Sequence, residues 1–303
     1  MIMEKYLISV VIPVYNNPDM LRETLRSVIK QTYQNIEIHV VDDGSEEDIE
    51  SVVNEVSDNR IKYYKLEHKN ADTARNYGII QSQGDYIAML DSDDIWLENH
   101  LVQCLSLLQE KNADGIYGSL IISKKFTTQK KTIYVRNPRE HETMIDYLLF
   151  VGYGAQSSTL FMTAESAKDI LWDESLTNND DYDFVVRYCK KYKMESKYEP
   201  TVIYNSKPRN QCDFQSCIRF IDRFREEIRS DVYYLYHKNM LRLAKRINAT
   251  PDVIDHYLNE MTRYKEIISF KEFIQIKDPV NNVQYFKYKM QYLWYIFRIG
   301  LEF

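Results

Sequence analysis

Three carboxylates fall within four residues at Asp91, Asp93 and Asp94, directly after the apolar run 86–90. Charges that close repel one another, and each would be driven toward its neutral form unless a cation shared them. Oxygen-only donors suit magnesium or manganese, ions that hold a few carboxylates and keep positions open for phosphate oxygens. One aspartate here could instead cap a helix opening near Leu97, but a cap uses a single residue. A second acidic pair, Asp42-Asp43, precedes Gly44, which supplies turn freedom, and Ser45, read as the N-cap of the next helix. A carboxylate there accepts hydrogen bonds from a nucleobase imide or ribose hydroxyls, or else closes an Asx turn. Arg75, within Thr73-Ala-Arg-Asn-Tyr-Gly78, sits near a helix N-terminus where a cation can meet a diphosphate. A solvated or salt-bridged surface arginine fits the same spacing.

These groups need elements that bring them to one place. Residues 7–14 form a short β-branched apolar run, as in a strand buried on both faces of a parallel sheet. Asn17-Pro18 offers an N-cap followed by proline at the first helical position, and Leu21, Leu25, Val28 and Ile29 recur at helical spacing, which predicts a helix over 18–31. Strands at 36–41 and 61–65 alternate with helices at 45–56 and 73–81; a strand at 85–90, a helix from near Leu97 and a strand at 114–123 follow. That alternation predicts an α/β fold with a Rossmann-like, doubly wound, mostly parallel sheet, whose ligands gather beyond the carboxyl ends of its strands.

Residues 124–206 read as loops and short strands completing the sheet, with helix near 142–150 and over 180–192. Beyond 210 the pattern turns helical, with Ile218, Ile221, Phe224 and Ile228 spaced for one face. A boundary near Lys207-Pro208 therefore divides an α/β domain, 1–207, from a helical region, 208–303.

The 303 residues are 44% hydrophobic and 28% charged, the composition of a folded chain. A net charge of −6 gives no global reason to expect nucleic acid as a partner, so phosphate must be held by a local device. No stretch reaches the ~18 apolar residues of a membrane span, and the N-terminus lacks signal-peptide order, which points to the cytoplasm. Cys104, Cys189, Cys212 and Cys217 have neither C-x-x-C spacing nor nearby paired histidines, so they read as reduced thiols rather than zinc ligands.

Taken in order, Val11-Ile-Pro-Val-Tyr-Asn16, Val41-Asp-Asp-Gly-Ser45, Ala74-Arg-Asn-Tyr-Gly78 and Leu90-Asp-Ser-Asp-Asp-Ile-Trp96 resemble the family 2 glycosyltransferases of GT-A fold over about residues 7–205. The resemblance implies an inverting transfer of sugar from a nucleotide-sugar donor, most simply a UDP-sugar, to a glycan or lipid-linked acceptor in bacterial surface-polysaccharide synthesis. It implies a nucleotide site at Pro13, Tyr15, Asp43, Arg75, Asp91, Ser92 and Asp93, with Mn2+ or Mg2+ on Asp93 and Asp94. Asn179-Asp-Asp-Tyr-Asp-Phe-Val-Val-Arg187 resembles the family's Glu-Asp segment, with Asp180 in place of Glu, and makes Asp181 the general base. On the residues alone, Asp180 or Asp181 could simply cap the helix that follows.

Two segments depart from the family pattern. Asn70-Ala-Asp-Thr73 stands where relatives have a glycine-containing turn, and Tyr204-Asn-Ser-Lys207 stands where many have Tyr-Arg-x-His, which removes a histidine metal contact. The aromatic stretch 285–301, with Lys287, Lys289 and Arg298, suits packing on the chain's own domain, contact with a twin subunit, or seating on an anionic membrane surface at the inner face of the plasma membrane. Two rival readings remain at this stage. One is a sugar-nucleotide-binding subunit without turnover in a polysaccharide assembly complex. The other is a haloacid-dehalogenase-like phosphatase, disfavoured because its nucleophilic Asp follows the first strand and Ile95 replaces its Thr or Val.

Overall fold

The computed structural model describes residues 5–124, 127–151, 155–206, 211–263 and 290. Two compact units divide the chain, Met1–Arg225 and Glu226–Phe303. The expected boundary at Lys207-Pro208 and the aromatic stretch 285–301, Met290 apart, lie outside the described residues.

The first unit begins with the expected alternation: β1 (Ile8–Val14), α1 (Pro18–Ile29), β2 (Ile36–Asp42), α2 (Ile49–Val56), β3 (Ile61–Lys65), α3 (Ala71–Gln81) and β4 (Tyr86–Met89). It continues through β5 (Ile95–Trp96), α4 (His100–Lys111), β6 (Gly115–Lys124), β7 (Thr127–Ile133), α5 (Met144–Val151), a 3-10 turn at Ser157–Thr159, β8 (Phe161–Thr163), α6 (Ala164–Ile170), α7 (Asp180–Cys189), β9 (Met194–Asn205) and α8 (Phe214–Arg223). The strands order as β3-β2-β1-β4-β8-β6-β9-β5, with β7 beside β6. The β3-β2-β1-β4 half is parallel, and beyond it β8 turns antiparallel while β6 and β9 run parallel to each other.

Every residue of β1 and β2 is buried, Glu37, His39 and Asp42 of β2 included, because helices cover both faces. On one face Leu21, Leu25 and Val28 of α1 pack with Val10, Ile12 and Val14. On the other lies α3, close enough that a Cβ at Gly78 would stand 2.5 Å from Val11 Cγ1 and 3.3 Å from Val41 Cγ2. Only glycine admits that approach, and it sets how near the α3 side chains come to the carboxyl ends of β1 and β4.

Several boundaries differ from the sequence reading. α2 starts at Ile49 and is capped by Asp48, whose carboxylate accepts the Ser51 N–H at 2.9 Å. Ser45 is thus not the cap: its Oγ accepts the Asn16 N–H at 2.9 Å and ties the loop after β1 to the loop after β2. The helix expected near Leu97 opens at His100, because Ile95 and Trp96 first pair antiparallel with Ile203 and Val202. α7 ends at Cys189 instead of 192, and β9, at 12 residues, is far from the short strand expected in this region. Ile228 falls beyond the end of α8 and so does not share its face.

The second unit carries α9 (Ser230–Arg246) and α10 (Pro251–Arg263). They meet through the buried Tyr233 hydroxyl, which donates to Glu260 at 3.1 Å. No helix among the described residues is long and apolar enough to cross a membrane.

Candidate active site

Because β1, β2 and β4 run parallel, the loops leaving their carboxyl ends open on one rim, at the point where the strand order reverses. A cavity of about 490 Å³ there is lined by Pro13, Tyr15, Asp43, Arg75, Asp91, Ser92 and Asp93, the whole set assigned to the nucleotide, together with His68, Lys69 and Asn70. A second cavity, about 520 Å³, adjoins it and shares Arg75, Asp91 and Asp93; its other walls include Asn178, Asn179, Asp180, Asp181, Tyr182, Tyr204 and Asn205. The rim carboxylates therefore separate two spaces of ligand size.

The acidic pair after β2 divides its labour. Asp42 closes the Asx turn, accepting the Ser45 N–H at 2.8 Å on Oδ1 and the Tyr63 hydroxyl at 2.8 Å on Oδ2. Asp43, only 2% exposed, faces the cavity; its Oδ1 accepts the Lys69 N–H at 2.9 Å and its Oδ2 lies 2.9 Å from His68 Nδ1. Asp42 thus closes the Asx turn, and of the pair Asp43 is the one that lines the cavity.

The three carboxylates after β4 also part company. Asp91 accepts the Ser157 hydroxyl at 2.6 Å on Oδ2 and Arg75 Nη2 at 2.8 Å on Oδ1. Asp93 lines both cavities. Asp94, expected at the metal beside Asp93, points into the protein instead: it is 1% exposed, Oδ1 accepts the Asn205 N–H at 2.9 Å and Oδ2 the Ser158 hydroxyl at 2.6 Å. Burial, with Asp91 and Asp93 nearby, raises its pKa well above the usual carboxylate range. Asp94 ties the loop to β9 and to the 3-10 turn and lines neither cavity. It caps no helix either.

Arg75 stands on the rim but is 6% exposed and already surrounded. Nη1 lies 2.6 Å from Asp72 and 3.2 Å from Asp180, Nη2 reaches Asp91, and the guanidinium lies 4.6 Å above the Trp172 ring. An arginine so held joins Asp91, just after β4, to the α7 carboxylate Asp180 where the two cavities adjoin. Burial pushes Asp72 up to about 7, helped by Asp180 and Asp91 and opposed by Arg75.

Asp181 occupies the first turn of α7, whose N-cap is Asn179 in the left-handed conformation with no side-chain cap, so neither Asp180 nor Asp181 is a capping residue. The buried Oδ1 of Asp181 has no hydrogen-bond partner. Burial, with Asp180 beside it, raises its pKa well above the ordinary aspartate value against the pull of Arg75. An under-solvated carboxylate in a cavity wall is a stronger base than one in water. Its position is fixed from behind by α8: Ser216 Oγ accepts the Thr177 and Asn178 N–H groups, each at 3.0 Å, and donates to Asn178 O. Arg223 bonds Asp183 and Asp173.

Sequence reasoning missed the supports. Ser157 and Ser158 orient Asp91 and Asp94 from a turn that reads as loop, and no local pattern marks them. Asn76 makes a two-bond amide bridge to the backbone of Trp172, at 2.7 and 3.0 Å, and donates to Glu174 at 3.0 Å, which lays Trp172 over Arg75. The two departures from the family pattern carry signal as well. Asn70 caps α3, accepting the Thr73 N–H at 2.9 Å, and Asn205 supplies the N–H that holds Asp94.

No group of three or more His, Cys, Asp or Glu among the described residues forms a ready-made metal cage. What the rim offers is Asp93 with Asp91, both lining the cavities; each Asp91 oxygen already accepts one hydrogen bond, from Arg75 or Ser157, and keeps a second lone pair. Such a set fits a magnesium- or manganese-type ion that takes its remaining ligands from substrate phosphates and water.

The sheet and helices match structures of GT-A glycosyltransferases. Staphylococcus aureus TarS 1-349 in complex with UDP-GlcNAc superposes with a TM-score of 0.58 at 18% identity, covering 90% of this chain and 76% of that one. The same protein in complex with UDP gives 0.56 at 19% identity, covering 85% and 70%. The chain belongs to glycosyl transferase family 2, whose model matches residues 9–171, more than half its length. It is 34% identical over 193 residues to the amylovoran biosynthesis glycosyltransferase AmsB of Erwinia amylovora, covering 60% of this chain and 64% of that protein. It is 38% identical over 139 residues to WfgD of Escherichia coli, a UDP-Glc:alpha-D-GlcNAc-diphosphoundecaprenol beta-1,3-glucosyltransferase, covering 44% and 55%. The chain thus spans less than two thirds of either relative's length.

Proposed function

We propose that the protein is an inverting glycosyltransferase that moves a sugar from a UDP-sugar to a hydroxyl of a glycan or lipid-linked saccharide in polysaccharide biosynthesis. The observation that carries this reading is the pair of adjoining cavities sharing Arg75, Asp91 and Asp93, one walled by Asp43 and Tyr15 and the other by Asp181. Asp43 is an acceptor-only group, so it selects a base whose edge presents an N–H, as uracil N3 does, and the half-exposed Tyr15 ring offers a stacking face. Ribose and diphosphate then lie over Ser92, Asp91 and Asp93. A divalent cation held by Asp93 and Asp91 would neutralise the diphosphate and the charge it gains on leaving. Relatives that act in amylovoran synthesis and on a diphosphoundecaprenol-linked sugar support a surface-glycan setting.

The acceptor hydroxyl enters the second cavity. Asp181 takes its proton as the acceptor oxygen bonds to the anomeric carbon and the bond from that carbon to the diphosphate oxygen breaks, so UDP departs and configuration inverts. Arg75 positions Asp91 and Asp180 at the line where donor and acceptor meet. The test is UDP release from a panel of UDP-sugars, with and without manganese and saccharide acceptors. Asp181→Asn should lower the turnover rate by roughly 10²- to 10⁴-fold while UDP binding persists. UDP binding without release under any condition would support the non-catalytic subunit instead.

A further inference from the structure

We propose that His68 is a place-holder for the nucleobase: its imidazole occupies the position of the base in the unliganded protein and must swing away before the nucleotide binds. The inference rests on the nucleotide site proposed above. The His68 ring stacks on Tyr15 with centroids 4.2 Å apart and planes 15° from parallel. Its Nδ1 lies 2.9 Å from Asp43 Oδ2 and 3.0 Å from the Asp43 carbonyl oxygen. Both neighbours are acceptors, so Nδ1 carries a hydrogen directed at them. A flat, heteroaromatic ring that stacks on Tyr15 and donates an N–H to Asp43 makes the two contacts assigned to uracil.

A centroid spacing of 4.2 Å leaves no gap for a second ring between Tyr15 and His68. The base and the imidazole therefore compete for the same face of Tyr15 and the same carboxylate. The surroundings let the side chain yield while the backbone stays. Gly44, at φ +75°, packs so closely on the loop that a Cβ there would lie 2.6 Å from His68 N. The Leu66 N–H donates to Asp42 O at 2.8 Å and the Lys69 N–H to Asp43 at 2.9 Å, pinning the chain on both sides. The His68 side chain itself is 52% exposed. Rotation about its side-chain bonds toward solvent thus clears the site without moving the loop.

In the unliganded protein the place-holder satisfies the buried Asp43 and covers one face of Tyr15, at the cost of a population that the nucleotide must displace. Calorimetric titration of UDP in the presence of Mn2+ into the wild-type chain and His68→Ala tests this. The substitution is expected to tighten UDP binding about three- to tenfold, the range that losing one competing aromatic contact allows. Equal or weaker binding by His68→Ala, with UDP still bound by the wild type, would overturn the place-holder while leaving the nucleotide site intact. If neither protein binds UDP, the nucleotide reading itself fails and the place-holder falls with it. In proton NMR of the wild type, the His68 ring signals, identified by their loss in His68→Ala, should leave the ring-current field of Tyr15 as UDP saturates. Signals that stay put would also overturn the proposal.

Discussion

Asp181 is the residue whose chemistry is most exposed to measurement. In water an aspartate loses its proton near pH 4, but burial and the neighbouring Asp180 hold this one well above that value. A base works only when deprotonated, so turnover should rise with pH along a limb displaced upward from the ordinary carboxylate range, and a limb near pH 4 would contradict the assignment. The same shift has a sign for stability. The folded state keeps the proton to higher pH than the unfolded chain, so stability is lost as pH climbs from about 4 through the raised value. Asp181→Asn escapes that loss, and its melting temperature should exceed that of the wild type by a few degrees at alkaline pH, with the gap closing in acid.

Among the elements, α3 does the most to assemble the rim. Its N-cap, Asn70, replaces the turn expected from the family pattern and aims the first turn so that Asp72 and Arg75 fall beneath the cavities. Asn70→Ala removes that cap and should cost about 1 kcal/mol in urea unfolding; an unchanged midpoint would show that the Glu174 contacts of Thr73 and Asn76 suffice to start the helix. How the elements were legible follows from what encodes them. β1, β2, β4 and the α3 motif could be read because their apolar runs and punctuation are local. Asp43 and Asp91 could be placed because sheet topology carries strand ends to one rim. The inward turn of Asp94 could not, since its partners Ser158 and Asn205 lie 64 and 111 residues away and answer to packing rather than to periodicity. The late start of α4 has the same cause: pairing of Ile95 and Trp96 with β9 overrides helix propensity there.

At the scale of the molecule, a net charge of −6 and a rim with five cavity-lining aspartates among the described residues, Asp43, Asp91, Asp93, Asp180 and Asp181, would repel a diphosphate. Arg75, the arginine lining the rim among the described residues, cannot reverse this, because its charge is directed at Asp72, Asp91 and Asp180. The cation proposed to arrive with the nucleotide would resolve the conflict. The direct test is calorimetric titration of UDP with and without Mn2+ into the wild type and Asp93→Asn. Manganese should raise UDP affinity by about tenfold or more in the wild type, and Asp93→Asn should lose that gain while keeping the metal-free affinity. UDP binding that is indifferent to manganese, or a gain undiminished in Asp93→Asn, would contradict the account.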